Sequence, residues 1–251
     1  MAWRYLYIPA AGFCLFLAYL LLQVKRKGKV IATAILAFYF IFTVIGNMFW
    51  KNSLTLWLET QRYHPGNAMV YNNLGFSYSS LGEDEKAIRF FKKAVELKPD
   101  YALGYYNLGN SFTSVGKVEE AIYSYVKAVN IYENFAQAYH DLAFIFLTHK
   151  ELNKIGDAIL LYKKAIEIYH GFAEAYNNLG VAYKEGGRIK DAVSSYEKAI
   201  EINPKYAGAY YNLALAYKEK GQAALAEIYY KKAKDLGLGY VPSLESYISH
   251  K

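Results

Sequence analysis

Few of the polar side chains in this 251-residue sequence lie at the spacing that a chemical reaction needs. The five histidines include no pair four residues apart beside a glutamate, the arrangement by which a helix binds zinc. The glycines follow a long period instead of forming one phosphate-binding loop, and no serine lies in a recognisable nucleophile motif. Cys14 is the single cysteine, which excludes an intramolecular disulfide and a zinc site made of several thiolates. We therefore predict a chain that is not an enzyme by itself, with no catalytic residue, metal or cofactor.

One series of polar side chains, four asparagines and an aspartate, could bind another molecule. Its members recur every 34 residues except across one longer unit, at Asn73, Asn107, Asp141, Asn178 and Asn212. An amide can accept a hydrogen bond from a peptide N–H and donate one to a peptide C=O, so the series could hold an extended polypeptide with little sequence selectivity. The preceding residues could face the same groove, at Asn72, Tyr106, His140, Asn177 and Tyr211. Alternatively, the asparagines belong to the repeat consensus and support helix packing.

Pairs of helices must position these groups. From Ala68 onward, aromatic, leucine and small residues recur at helical spacing within units of 34 residues. The units are 68–101, 102–135, 136–172, 173–206 and 207–240. The third unit is three residues longer than the others, and its extra residues enter the turn near Lys150 to Gly156. Gly82 and its equivalents Gly116, Gly187 and Gly221 fall where a left-handed residue would end the first helix of each pair.

This pattern resembles the tetratricopeptide repeat (TPR) family, in which paired helices stack into a right-handed α-solenoid. The resemblance implies an all-α array of about five and a half repeats whose first helices line a concave surface. Ser53, Trp57 and Pro65 match the second half of a unit, so residues 52–67 are predicted to form a half-repeat, and 241–251 a capping segment. The amide series is similar to the asparagine ladder in the TPR region of O-linked N-acetylglucosamine transferases. The basic clamp of chaperone-binding members has no match at Asn72 or Phe76.

Two apolar segments precede the repeats and predict a two-helix membrane anchor at residues 1–51. Residues 5–22 and 30–50 contain no charged side chain, and about 20 apolar residues span a bilayer as a helix. A buried core helix, or a signal peptide for the first segment, would be the alternative. Two consecutive long segments make a core helix a poor explanation, and no small-residue cleavage site follows the first one. The fold class is therefore all-α, with a transmembrane hairpin followed by the solenoid.

The charge distribution predicts how this hairpin is oriented. Six of the 29 basic residues lie within the first 51 residues, which contain no acidic side chain, while the remaining 23 nearly balance the 22 acidic ones. A nucleic-acid partner is therefore not expected, despite the net charge of +7. Four cations lie in the loop at 23–29, and such loops tend to stay cytoplasmic. We predict an integral membrane protein whose repeats lie in the periplasm, the cell exterior or an organelle lumen.

A second resemblance covers the whole chain. The string Arg4-Tyr-Leu-Tyr-Ile-Pro9, followed by Gly12-Phe-Cys14, is similar to the last membrane segments of transmembrane-and-TPR O-mannosyltransferases, which are large polytopic enzymes. Those enzymes resemble one another in using acidic residues on early lumenal loops, whereas this chain has no carboxylate before Glu59. The resemblance therefore implies the non-catalytic C-terminal part of such an enzyme.

Two functions follow from the sequence. The first is a membrane-anchored TPR scaffold that mediates protein–protein interaction by binding polypeptide segments in its groove. The second is the substrate-presenting, non-catalytic C-terminal part of a protein O-glycosyltransferase of the O-mannosyl or O-GlcNAc type. The expected partners are other proteins or peptides, the membrane, and in the second case a glycosyltransferase subunit.

Overall fold

The computed structural model describes residues 53–239. Over this range the chain forms eleven α-helices and one short 3-10 helix, without a β-strand. Helix α1, Ser53–Tyr63, belongs to a unit that ends at Pro65, and the later helices belong to a second unit that begins at Gly66. These are α2 (Ala68–Ser79), α3 (Asp84–Leu97), α4 (Ala102–Ser114), α5 (Val118–Ile131), α6 (Ala136–Thr148), α7 (Ile155–Ile168), α8 (Ala173–Glu185), α9 (Ile189–Ile202), α10 (Ala207–Glu219) and α11 (Ala223–Asp235). The prediction of an all-α array of paired helices is confirmed for these residues.

Small residues in the first helix of each pair allow the second helix to approach closely. An ideal Cβ atom on Gly75 would lie 2.7 Å from the ring of Phe91, and one on Gly180 would lie 2.5 Å from the ring of Tyr196. These rings are almost wholly buried and form the centre of each pair. The short side chain is therefore needed where the two helices cross, because a larger residue would push the aromatic ring out of its place.

Left-handed glycines end the first helices of four repeats. Their φ angles lie between +72° and +76°, at Gly82, Gly116, Gly187 and Gly221. The N–H of Glu83 donates to the C=O of Tyr78 at 3.0 Å, and equivalent bonds close the other three turns. This six-residue closure requires a left-handed residue just before its donor, a conformation that glycine adopts without steric cost. The turn glycines of the sequence therefore have the predicted role.

The third repeat closes its turn differently because of the three extra residues. Lys150–Leu152 form the 3-10 helix, and Asn153 takes the left-handed conformation with φ of +50°. Leu152 packs against the core, and the Nζ atom of Lys150 lies 2.6 Å from the Oε2 atom of Glu185 in the next repeat. The hydrogen bond from Lys150 lowers the pKa of Glu185. The longer turn is thus attached to the following repeat.

Both membrane predictions fall on residues that the structure does not describe. Among residues 53–239, none of the helices is both long and apolar enough to cross a membrane. The two predicted spans, at 5–22 and 30–50, lie outside the described residues, as does the predicted capping segment at 241–251.

Candidate polypeptide-binding face

The first helices of the five repeats share one face that the second helices leave uncovered. Counting the initial alanine of each unit as position 1, this face carries positions 2, 6, 9 and 13, which the helical period places on one side. We call it the inner face. The five residues at position 6 are all half-buried on it, at Asn73, Asn107, Asp141, Asn178 and Asn212. The structure therefore places the predicted amide series on a single surface of the array.

Apolar side chains flank the series on the first three repeats. Phe76 and Phe144, both at position 9, are 63% and 45% exposed. Met69 and Leu103, at position 2, are also exposed. Exposed apolar side chains that cluster on one surface are typical of sites that bind another chain. The inner face of α2, α4 and α6 thus combines hydrogen-bonding amides with apolar contacts.

The side chains at position 5 bond to position 6 of the following repeat. Asn107 donates from Nδ2 to the Oδ1 atom of Asn72 at 2.9 Å. In the next two steps of the array, Tyr106 donates its hydroxyl to Asp141 at 2.8 Å, and the amide of Asn178 lies 3.1 Å from the Nε2 atom of His140. The last step joins Asn212 Nδ2 to Asn177 Oδ1 at 2.8 Å. A side-chain hydrogen bond of this type therefore crosses each boundary between the five repeats.

These bonds separate the two predicted rows of groove residues. Asn72, His140 and Asn177 at position 5 are only 4%, 8% and 5% exposed, so they face the neighbouring repeat and join the helices. Tyr106 and Tyr211 are half-buried. The packing alternative therefore describes position 5, while position 6 combines a packing contact with partial exposure. The spacing could have revealed this role, because a position-5 residue and the position-6 residue 35 places later belong to neighbouring repeats.

Asp141 is the centre of the most connected polar group on this face. Its Oδ2 atom accepts from Tyr106, and its Oδ1 atom lies 3.0 Å from Gln137 Nε2 and 2.7 Å from His140 Nδ1. Burial raises the pKa of Tyr106, and the charge of Asp141 raises it further, so this hydroxyl keeps its proton and donates. Three donors from two repeats therefore converge on one carboxylate.

Some hydrogen-bonding capacity on the inner face is left over. Among the described residues, no side-chain hydrogen bond is made by the amide of Asn73. Asn107 and Asn212 each use Nδ2 for the neighbouring repeat, which leaves their Oδ1 atoms available to a ligand. A partner could therefore bind at three of the five position-6 side chains without displacing a bond between repeats.

Two equivalent tyrosines beneath this face differ in their hydrogen bonds. Tyr125 donates its hydroxyl to Asn110 at position 9 of the same repeat, at 2.6 Å. In the fourth repeat position 9 is Val181, and the Tyr196 hydroxyl is buried without a partner among the described residues. A buried polar group without a hydrogen bond destabilises the fold.

We expect Tyr196→Phe to leave the free energy of unfolding unchanged or to raise it by up to about 1 kcal/mol, because it removes this unsatisfied hydroxyl. Tyr125→Phe should lower it by about 1 kcal/mol, because it leaves Asn110 without its donor. Urea denaturation followed by circular dichroism measures both variants. Equal losses of stability would contradict the proposed difference between the two sites.

A metal centre is not indicated on the described part of the chain. No group of three or more histidine, cysteine, aspartate or glutamate residues in the range 53–239 has the arrangement of a metal site. The polar cluster around Asp141 consists of donors that already occupy both carboxylate oxygens.

Comparison with known families gives consistent matches over the repeats. Models of the tetratricopeptide repeat match residues 68–101 and 207–236, and a TPR repeat model matches 109–150, 147–186 and 182–221. Together these matches cover more than half of the chain.

Two relatives that match part of this chain are protein O-mannosyl-transferases. Tmtc3 of Drosophila melanogaster is 32% identical over 108 residues, which is 40% of this chain and 12% of that protein. TMTC4 of Homo sapiens is 31% identical over 97 residues, which is 36% of this chain and 13% of that protein. The aligned region is therefore only about an eighth of each relative's length.

Solved structures with the same fold include MamA and YrrB. MamA is 31% identical, with a TM-score of 0.61 over 65% of this chain and 94% of that chain. YrrB, described as a TPR protein with an unusual peptide-binding site, is 24% identical, with a TM-score of 0.64 over 78% of this chain and 98% of that chain. At that lower identity, YrrB is evidence for the fold alone.

Proposed function

This chain belongs to the tetratricopeptide repeat family, and from that premise we propose that it is a membrane-anchored scaffold that binds extended polypeptide segments on its inner face. The observation that carries the proposal is the exposure of Phe76 and Phe144 on the same face as the amides of Asn73 and Asn107, whose Oδ1 atoms are available to a ligand. Apolar contacts would supply affinity, and the amides would bind the backbone of the segment in either direction. In this role the chain needs no catalytic group of its own.

Replacing both phenylalanines tests this proposal. We expect Phe76→Ser with Phe144→Ser to weaken binding of an unfolded polypeptide by about tenfold or more, because each exposed ring loses its apolar contact with the segment. The probe is reduced and carboxymethylated α-lactalbumin, which cannot fold, and fluorescence anisotropy measures its affinity for the full chain. Both rings are exposed, so the fold should be retained.

A matched control lies on the second helices. Leu160 on α7 and Ile228 on α11 are 65% and 59% exposed, so they are as accessible as the two phenylalanines but lie away from the inner face. Leu160→Ser with Ile228→Ser should leave the affinity unchanged. Equal affinities of both double variants and the unmodified chain would contradict binding at the inner face.

The asparagines themselves are a less direct test. Asn107→Ala and Asn178→Ala should weaken binding, yet each also removes a bond between repeats. Each of these variants should therefore lose stability as well as affinity, so affinity must be compared at equal folded fraction.

The membrane part of the proposal rests on the sequence. The apolar segments 5–22 and 30–50 would anchor the chain, and the basic loop at 23–29 would place the repeats outside the cytoplasm. Protease added to intact cells or spheroplasts should then digest the repeats. Protection of the repeats, or release of the chain by lysis without detergent, would contradict this arrangement.

A second candidate function follows from the relatives. The matches to O-mannosyl-transferases, together with the Arg4 to Pro9 string, support a substrate-presenting role beside or within a protein O-glycosyltransferase. A neighbouring reading frame that encodes further membrane spans with acidic residues on lumenal loops would favour this function. Unchanged protein O-mannosylation after deletion of the repeats would count against it.

A further inference from the structure

A continuous chain of side-chain hydrogen bonds runs from the fifth repeat to the third. It begins at Asn212, which donates to Asn177, and Asn177 donates from Nδ2 to the Oδ1 atom of Asn178 at 3.1 Å. Asn178 then reaches His140, and His140 ends the chain at Asp141. Asn177 and Asn178 each donate one bond and accept another within this chain, so the direction of one bond fixes the direction of the next.

The carboxylate determines that direction. An ionised Asp141 can only accept, so the Nδ1 atom of His140, 2.7 Å away, must carry a proton. In a neutral ring Nε2 is then an acceptor, and the Nδ2 atom of Asn178 donates to it. All the donors from Asn212 onward therefore point toward Asp141, and the Oδ1 atom of Asn212 is the free end of the chain.

Protonation of the ring would make this direction impossible. The imidazolium carries a hydrogen on Nε2 as well as on Nδ1, so Nε2 would face the Nδ2 hydrogens of Asn178. Rotation of the Asn178 amide would present its Oδ1 atom to the ring and its Nδ2 atom to Asn177. Asn177, and after it Asn212, would then have to rotate in the same way to keep their hydrogen bonds. If the amides did not rotate, the Nε2 hydrogen of His140 would face another donor without an acceptor. That loss would cost more free energy than rotating the three amides in place.

Among the described residues, few titratable groups lie close to the His140 ring. Asp141 lies next to it on α6, and Tyr106 from α4 shares that carboxylate. From α7, Tyr162 places its ring 5.5 Å from the imidazole, centroid to centroid, and its pKa is raised by burial. The residues that reach it from α8 and the turn before that helix are Asn178 and Phe172, which do not titrate.

We propose that protonation of His140 reverses the amides of Asn178, Asn177 and Asn212 together, so that Asn212 presents its NH2 group, not its Oδ1 atom, on the inner face. The reversal is a property of the unliganded repeats. Its effect on ligands rests on the proposed function, since only a polypeptide bound at the inner face would meet a donor where an acceptor had been.

Nuclear magnetic resonance tests the reversal directly. In the full chain with ¹⁵N-labelled histidine and asparagine, long-range ¹H–¹⁵N spectra at neutral pH should show His140 as the Nδ1–H tautomer. When the pH is lowered from about 8 to about 5, the NH2 signals of Asn178, Asn177 and Asn212 should shift together with the signals of the His140 ring. The Asn72–Asn107 pair lies outside the chain, so Asn107 should not follow this titration.

His140→Gln supplies the matched control, because glutamine has a similar polar end and does not titrate in this range. In this variant the three asparagine signals should be independent of pH. A different tautomer, or asparagine signals that titrate without His140, would overturn the proposal. These readouts need no ligand, so they stay informative if the inner face does not bind polypeptides; a pH-dependent affinity for carboxymethylated α-lactalbumin that disappears in His140→Gln would join the two proposals.

Discussion

Gly180→Leu is expected to lower the free energy of unfolding by about 3 kcal/mol, the upper part of the range for overpacked cores. A Cβ atom at this position would lie 2.5 Å from the ring of Tyr196, which is wholly buried between α8 and α9. The third and fifth repeats have Ala143 and Ala214 here, so those two repeats accommodate a single methyl group at this position. A branched side chain has no space to enter, and the two helices must separate.

Gly156→Leu is the matched control for this substitution. Gly156 lies in the first turn of α7, it is exposed, and an added Cβ atom would meet no atom within 4 Å. We expect a change of less than about 0.5 kcal/mol, which is usual for surface substitutions. Urea denaturation monitored by circular dichroism at the helical band compares both variants with the unmodified chain. If both leucines had the same small effect, the close approach of α8 and α9 would not be a source of stability.

The fold could be predicted because the residues that determine the geometry of each repeat lie within that repeat. Gly180 and Tyr196 stand sixteen residues apart, as do their equivalents Gly75 and Phe91, and this pairing of a small with a large residue fixes where two helices cross. The turn glycines add the point at which each first helix ends. Both signals lie within one unit, so they can be found by comparing the units along the sequence.

The roles of the polar residues were harder to predict because they depend on contacts between units. Position 5 and position 6 are adjacent in sequence and both are polar, so the pattern alone favoured placing both in the groove. The structure separates them, because Asn72, His140 and Asn177 at position 5 face the next repeat and are buried there. His140 illustrates this, since its partner Asn178 lies 38 residues away across the longer turn. The predicted role of the position-6 residues in polypeptide binding stays a prediction.

Asp141→Leu is the second substitution with a large expected effect. It removes the acceptor for Tyr106, Gln137 and His140, and the first and last of these are partly or wholly shielded from water. A buried donor without an acceptor costs about 1–3 kcal/mol, so we expect the free energy of unfolding to fall by about 3 kcal/mol. Urea denaturation measures the loss.

Asp141→Asn separates the charge from the hydrogen bonds. The other four repeats have asparagine at position 6, so this variant restores the regular series while keeping one carbonyl acceptor. We expect a loss of about 1 kcal/mol, because the single amide oxygen cannot accept from all three donors.

A double-mutant cycle of Asp141→Leu with Tyr106→Phe should give losses of stability that do not add, since Tyr106→Phe already removes one of the donors that Asp141→Leu leaves without an acceptor. Additive losses would show that Tyr106 and Asp141 stabilise the array independently, and the hydrogen bond between them would then not be a source of stability.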